Sequence, residues 1–420
     1  MSLTIDLNLP SLLPRDYISR MSKNCDVLII GAGVVGLSTG IALLQSRPNL
    51  KVLIADKEKD IAMHASGRNS GVIHAGFYYS PDSLKAKFCR DGNFELRKLA
   101  KKYGIPVKDV GKVVVTRNED EDTRLSTLFQ RGIANGVELE IHPEEKLKEF
   151  EPLAITHNRF MWSPNTGISD SISIVKAMRD EFLSLRGGIH FESKVSLTKS
   201  NGENHDASAQ FTFKHVVNAA GAQADRISRS VGVGTEFAML PFMGVYRATS
   251  EKNLPLRRLV YPVPHPINPF LGVHFTLTID GKVKIGPTAI PISGREQYSF
   301  TEGWSGSDFA QALKGIKSLI TGDAHDFGAI LKSEWPKIIQ KLLIKESAEL
   351  VPCAIRVRDW HRKPPGIRAQ LVHLPSGKLE QDFIVTSQVN ATHVLNAVSP
   401  GWTSAIPFGR LVASEVLNSV

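Results

Sequence analysis

Cysteine is scarce in this chain of 420 residues, and its three copies, Cys25, Cys89 and Cys353, are too scattered for a disulfide framework or a zinc site. A reducing compartment follows as the simpler expectation. No apolar run approaches the roughly 18–20 residues that a membrane span needs. Repeats and low-complexity tracts are missing, which excludes solenoids and disordered arrays. The net charge of +9 is spread along the chain with no nucleic-acid recognition motif beside it, so nucleic acid is not an expected partner. A solvated basic surface, an acidic substrate or peripheral contact with an anionic membrane face remain as reasons for the surplus.

What is present is an ordinary globular composition, 42% hydrophobic and 22% charged, in a chain longer than one compact core usually grows. Two interleaved domains are expected. Residues 1–24 read as a loosely docked tail. Leu12, Leu13, Arg15 and Arg20 are accompanied by Asp6 and Asp16, acids in which transit peptides are poor.

Asp26–Ile30 is a continuous apolar run suited to a buried parallel strand, followed by a glycine-rich turn, a helix over Val34–Gln45 and a second strand at Lys51–Ala55. This is a β-α-β unit with a right-handed crossover. Helices are expected at 83–103, 119–135 (stopped by Gly136), 172–185, 309–319, 335–343 and 406–417, and strands at 112–116, 191–195, 211–213, 215–218 and 393–396. Residues 242–287 read mostly as β, with Pro255, Pro262, Pro264, Pro266 and Pro269 in the loops. Gln370–His373 is expected to form a hairpin with Phe383–Val385.

Gly31-Ala-Gly33-Val-Val-Gly36 is G-x-G-x-x-G between a strand and a helix. Gly31 permits the tight turn, Gly33 lets a pyrophosphate approach the backbone, and Gly36 lets helix and strand pack closely. Asp56, 20 residues beyond Gly36, stands where a carboxylate accepts from ribose hydroxyls, with Lys57 beside it. The pattern specifies a dinucleotide without choosing between NAD and FAD.

The next segment, His64-Ala-Ser66-Gly-Arg-Asn69-Ser70-Gly71-Val-Ile-His74-Ala-Gly-Phe-Tyr78-Tyr79, resembles the D-amino-acid-oxidase-like flavoproteins and, more closely, the L-2-hydroxyglutarate dehydrogenase/oxidase family. Tyr261-Pro-Val-Pro264, Phe270-Leu-Gly-Val-His274-Phe-Thr276, Gly366-Ile-Arg368-Ala-Gln370 and Asn396-Ala-Val-Ser399-Pro400-Gly401-Trp402-Thr403-Ser404 are similar to its further motifs. Val217-Asn-Ala-Ala220-Gly221-Ala-Gln-Ala-Asp225 resembles the superfamily's second flavin-contacting element.

The resemblance implies an α/β chain (α+β overall): a Rossmann-type FAD-binding domain interleaved with an antiparallel β-sheet substrate domain. Residues 25–110, 156–235 and 365–420 would form the first, 111–155 a mixed substrate-domain segment, and 236–364 the substrate domain. It implies non-covalent FAD, although some superfamily members attach FAD through a histidine near the position of His64. Cofactor contacts are expected from Gly31, Gly33, Gly36, Asp56, Lys57, His64, Ser66, Asn69, Ser70, Gly71, Val195, Ala220, Gly221, Asp225, Gly366 and the Ser399–Thr403 turn. The implied activity is oxidation of L-2-hydroxyglutarate, or a close 2-hydroxy acid, by hydride transfer to flavin N5, with electrons passing to a quinone, another acceptor or oxygen.

Such chemistry needs a base for the hydroxyl proton, and a neutral histidine suits it. His274 is the first candidate and His74 the second. A carboxylate needs a fixed cation, and Arg368 matches the position of the superfamily's carboxylate-binding arginine. Tyr78 or Tyr79 would donate a hydrogen bond. One departure stands out: the family's R-G-D/E-Y run reads Met243-Gly244-Val245-Tyr246 here, which removes two charges, with Arg247 or Arg258 as replacements for the cation. An amine or amino-acid oxidase on the same scaffold is the rival reading, and a non-catalytic flavin subunit the next. A cytoplasmic setting is expected, with peripheral contact at the inner-membrane face as an option, or a mitochondrial one in a eukaryote.

Overall fold

The computed structural model describes residues 23–265, 271–299, 302–322 and 327–419. The tail up to residue 22, Pro266, Pro269 and Phe270 lie outside the described residues.

The apolar run opens as strand Asn24–Ile30 and sits inside a six-stranded sheet ordered 384–388, 391–395, 212–218, 24–30, 52–55, 188–190. All its pairings are parallel except the first, which is antiparallel. Burial on both faces explains why Val27, Leu28 and Ile29 are apolar without alternation. Helix Val34–Ser46 covers one face, with the C-terminal helix Ala405–Leu417 packed against it. Gly409 permits that contact, because a Cβ there would lie 2.5 Å from Ser38 Cβ.

The second sheet has ten strands, built around the long pair Phe237–Ser250 and His361–His373. It is antiparallel except where Leu259–Pro262 runs parallel to Lys112–Val115. Arg159–Ser163 belongs to this sheet, as does Gly366–His373, although the sequence reading grouped both with the nucleotide-binding part. Val72–Ile73, Val107–Lys108 and Gly167–Ser169 form a small three-stranded sheet.

Three local expectations need correction. Residues 191–195 are not a strand: the strand ends at His190, and Glu192 at φ 53° turns the chain so that Glu192 and Ser193 N–H donate to the Glu58 and Asp56 carbonyls. Phe383–Val385 does not pair with Gln370–His373. Ile384–Gln388 closes on Ala391–Leu395 through the two-residue turn Val389–Asn390, a far shorter loop, and Lys378–Leu379 takes the place beside His373. The helix expected at 335–343 divides at Ile339 into a 3-10 turn, Trp335–Ile338, and a helix, Gln340–Ser347.

Candidate active site

A cavity of about 790 Å³ runs between the two large sheets. At one end it is bounded by the turn after the first strand. Gly31 adopts φ 108°, and a Cβ there would stand 2.6 Å from Ala219 O, so glycine is required both for the turn and for the neighbouring strand end. Gly36 meets Gly31 O at 2.0 Å in the same sense. Gly33 caps helix Val34–Ser46 in extended conformation, and its backbone faces the cavity. Asp56 accepts from Ala32 N (2.7 Å) and Glu58 N (2.8 Å), which fixes the carboxylate at the cavity wall.

The polar loop after this unit is held by its own side chains. Asn69 donates to Ser66 O (2.8 Å) and accepts from Gly71 N (2.9 Å), while Ser66 Oγ accepts from Val34 N (3.1 Å). This loop meets the arginine motif directly, since a Cβ on Gly366 would lie 2.5 Å from Arg68 O. The C-terminal turn closes the other side: Thr403 Oγ1 accepts from His74 N and donates to Val72 O (3.3 Å each). Segments over 300 residues apart in sequence thus line one cavity.

Most sequence candidates line it: Gly31, Gly33, Asp56, Lys57, His64, Ser66, Asn69, Ser70, His74, Val195, Ala220, Gly221, His274, Gly366, Arg368 and Ser399 through Thr403. Gly36 and Gly71 do not; they work in packing, Gly71 (φ 75°) against Ser169 O. Asp225 does not either. Its buried carboxylate is paired with Arg295 (Nη2–Oδ2 2.9 Å), which bridges to Asp308 (2.8 Å). Tyr78 is also off the wall, packed on Phe77 with its hydroxyl buried. His64 is engaged at both ring nitrogens, by the Tyr298 hydroxyl (2.7 Å) and the Glu58 carboxylate (2.9 Å).

At the far end of the cavity His274 is buried and stacked on Tyr261, ring centroids 3.8 Å apart. Its Nδ1 lies 2.8 Å from Gly272 O. A carbonyl only accepts, so Nδ1 carries the proton and Nε2 keeps its lone pair. Burial holds this imidazole at about 3, with Lys112 adding to the effect against the Gly272 hydrogen bond. Burial also depresses His74 well below the usual histidine range. Arg368 donates from Nε to Gln370 Oε1 (3.0 Å), and Gln370 is anchored in turn on Glu380 O and Asn396. Burial lowers the guanidinium to about 10, so it stays cationic at neutral pH.

The alternation of the strand Phe237–Ser250 resolves the missing charges. Phe242, Gly244 and Tyr246 line the cavity, whereas Met243 and Val245 point the other way into an apolar cluster with Ile290, Ile292 and Ile367. Neither Arg247 nor Arg258 lines the cavity; Arg258 lies over Trp162.

Sequence reasoning missed Lys112. It is fully buried, its Nζ has no hydrogen-bond partner among the described residues, and it stands over the rings of Tyr261 (4.1 Å), Tyr78 (5.0 Å) and Phe77 (5.2 Å). Since His274 stacks on one face of Tyr261, the ammonium occupies the other. Burial lowers it to about 7. Within an apolar Lys-Val-Val-Val strand the only available signal was a lysine where a buried strand calls for a hydrophobe.

Comparisons with known proteins agree with this geometry. Residues 26–415 match the family described as "FAD dependent oxidoreductase". The chain is 36% identical over 416 residues to a mitochondrial L-2-hydroxyglutarate dehydrogenase of Caenorhabditis elegans, covering 94% of this chain and 93% of the relative. The Escherichia coli K12 enzyme of that name is 35% identical (93% of each), and the human mitochondrial one 32% (95% and 90%). The fold matches an FAD-bound L-alpha-glycerophosphate oxidase from Mycoplasma pneumoniae, TM-score 0.74 at 23% identity over 95% of each chain. It also matches a glycine oxidase from Geobacillus kaustophilus, TM-score 0.70 at 18% identity over 95% and 96%. The glycine cradle, the Asp56 carboxylate and the cavity fit FAD, and the chain belongs to the FAD-dependent oxidoreductases, in the branch of the L-2-hydroxyglutarate dehydrogenases.

Proposed function

We propose that this chain oxidises L-2-hydroxyglutarate to 2-oxoglutarate. FAD, when bound, supplies the two-electron acceptor for the hydride that leaves Cα. The observation that carries the reading is the presence in one cavity of a neutral imidazole with a free Nε2 lone pair and a buried guanidinium, His274 and Arg368. His274 Nε2 takes the hydroxyl proton, and Arg368 grips the C1 carboxylate, oriented by Gln370. His74 and Tyr246 shape the remainder of the substrate end. Lys112, behind Tyr261, holds the positive field that a second carboxylate neutralises. Gly31, Gly33, Asp56, Lys57 and the Ser399–Thr403 turn hold the cofactor, and the engaged ring of His64 favours a non-covalent link.

Anaerobic mixing with L- and D-2-hydroxyglutarate, lactate, malate and a set of amino acids tests the reading. Bleaching of the flavin band by the L-diacid is expected, and bleaching by amino acids alone would overturn it. A colourless pellet after acid precipitation is expected for non-covalent FAD. Electrons pass onward to a quinone or another acceptor, or to oxygen, and the two are distinguished by reoxidation rates with each. No described helix is long and apolar enough to cross a membrane. The animal relatives are named mitochondrial, which supports that compartment if this chain is eukaryotic.

A further inference from the structure

The strand Lys282–Gly286 carries its charge on one face only. Val283 and Ile285 are fully buried in the largest apolar core, so the period of two turns Lys282, Lys284 and Gly286 to the opposite side of the sheet. That side is the one the cavity uses. Gly286 pairs with His274, and Lys284 pairs with Thr276 on one flank and Ala248 on the other. Tyr246, two residues before Ala248, lines the cavity, and Lys284 Nζ lies 6.0 Å from its ring centroid.

The same register sets three groups in order along the sheet. Arg368 pairs with Phe242 of the strand Phe237–Ser250, and Lys284 with Ala248, six residues further along it. His274, level with Gly286, falls between them. Lys284 thus stands one pleat repeat, about 7 Å, beyond His274 on the side away from Arg368. A five-carbon 2-hydroxy diacid presents its groups in that order: the C1 carboxylate, the C2 hydroxyl, then a second carboxylate three carbons beyond C2. With C1 at Arg368 and the hydroxyl at His274, the remaining chain runs toward Lys284. Lys112 cannot meet it, because its ammonium is enclosed by rings behind Tyr261. Lys284 is half-buried at the end of the cavity wall, where a flexible four-carbon stem lets the ammonium move over the Tyr246 ring.

The charges around Lys284 leave it open to an anion. Lys282 pairs with Asp280, but among the described residues neither Lys284 nor Lys363 is in ion-pair contact with a carboxylate. Burial and then Lys363, with Lys282 adding, lower Lys284 from the ordinary lysine range against the pull of Asp280 and Asp170. Burial and Lys282 lower Lys363 in the same sense, against Asp280. Three lysines sharing one contacting acid repel one another, and a carboxylate among them relieves that repulsion.

We propose that Lys284, supported by Lys363, forms a subsite for the distal carboxylate of a five-carbon dicarboxylate. The subsite rests on the diacid reading above for the identity of its ligand. It assigns Lys284 to specificity, while His274 and Arg368 keep their places at the reacting end.

The test titrates the full FAD-loaded chain with glutarate and with pentanoate, read by perturbation of the flavin absorbance. Neither acid carries a hydroxyl, so binding is measured without turnover. The wild type is expected to bind glutarate at least about tenfold more tightly than pentanoate, and Lys284→Met to lose about that factor for glutarate alone. Lys284→Arg should restore most of it, since the charge is kept. In steady state with a soluble dye, Lys284→Met should raise KM for L-2-hydroxyglutarate by about tenfold with kcat little changed, and leave 2-hydroxypentanoate unaffected. Unchanged glutarate binding in Lys284→Met, an equal loss for glutarate and pentanoate, or a wild type that does not prefer glutarate would each overturn the subsite. A flavin that L-2-hydroxyglutarate fails to bleach, in a chain where Lys284→Met still weakens glutarate alone, would remove the oxidation reading and leave the subsite in place.

Discussion

The two ends of the cavity handle charge in opposite ways. At the nucleotide end Lys57 pairs with Glu58 and Glu296, and Arg295 with Asp225 and Asp308, while Arg68 lies over the Tyr298 ring. At the substrate end Arg368 is hydrogen-bonded to the neutral Gln370, Lys112 is enclosed by aromatic rings, and Lys85, also buried and held at about 7, stands near Arg368. Removing an ion from water costs several kcal/mol, so such cations persist where something compensates them. At the first end the chain supplies the carboxylates. At the second, on the proposed function, the carboxylates of a dicarboxylate substrate add to the charge facing these cations, and Asp382 and Glu380 already act on Lys85.

The comparison is broken most severely by removing the proposed base. His274→Gln is expected to lower kcat by roughly 10²–10⁴, with flavin binding retained and KM little changed. Unchanged turnover would move the base role to His74. The pH profile sharpens the same point. An ordinary histidine is half protonated near pH 6.5, but burial holds His274 at about 3, so the neutral form predominates well below that pH. The acid limb of kcat/KM should therefore stay flat through pH 5–6.

Arg368→Met comes next. Truncating one member of a buried charge pair costs about 2–5 kcal/mol, so kcat/KM should fall by roughly 30-fold to several thousand-fold, chiefly through KM. Arg368→Lys should recover only part of it, since an ammonium cannot grip a carboxylate bidentately. Lys112→Met should act more gently and selectively. Expected is a loss of about tenfold in kcat/KM for the five-carbon diacid and little change for a monoacid of the same chain length, checked by steady-state kinetics on both. Sign follows from its environment: Lys112 is charged below about pH 7 and neutral above it. Wild-type kcat/KM for the diacid should fall as pH rises through 7, with Lys85 adding to the limb, and Lys112→Met should flatten it.

The nucleotide end was legible because its work is done by backbone and turn chemistry. Gly31, Gly33 and Gly36 are glycines for steric reasons that leave a fixed spacing, and Asp56 follows at the end of the next strand. His274 and Arg368 were legible only through family resemblance, since a lone histidine or arginine in a strand carries no spacing signal. Asp225 was misjudged because its partner Arg295 lies 70 residues away, and Lys112 was missed because its cage is assembled from two segments distant in sequence, Phe77–Tyr78 and Tyr261. Long-range pairing also explains the hairpin error at Phe383–Val385, where a shorter loop competed successfully.

The smallest expected effect concerns the two charges missing at Met243 and Val245. If charge at 243 and 245 selected the diacid, replacing these residues would alter substrate preference. The strand's two-residue period instead sends Met243 and Val245 into the cluster with Ile290 and Ile367, behind the cavity wall. Val245→Ala is therefore expected to cost about 1–2 kcal/mol of stability, from lost packing, with the ratio of diacid to monoacid kcat/KM unchanged within twofold. Gly244→Ala, one residue away on the cavity face, meets Pro287 Cβ at 2.9 Å and should disturb that ratio at once. Equal effects of the two substitutions on substrate preference would mean that the wall does not separate core from site, and the contrast between the two ends of the cavity would lose its structural basis.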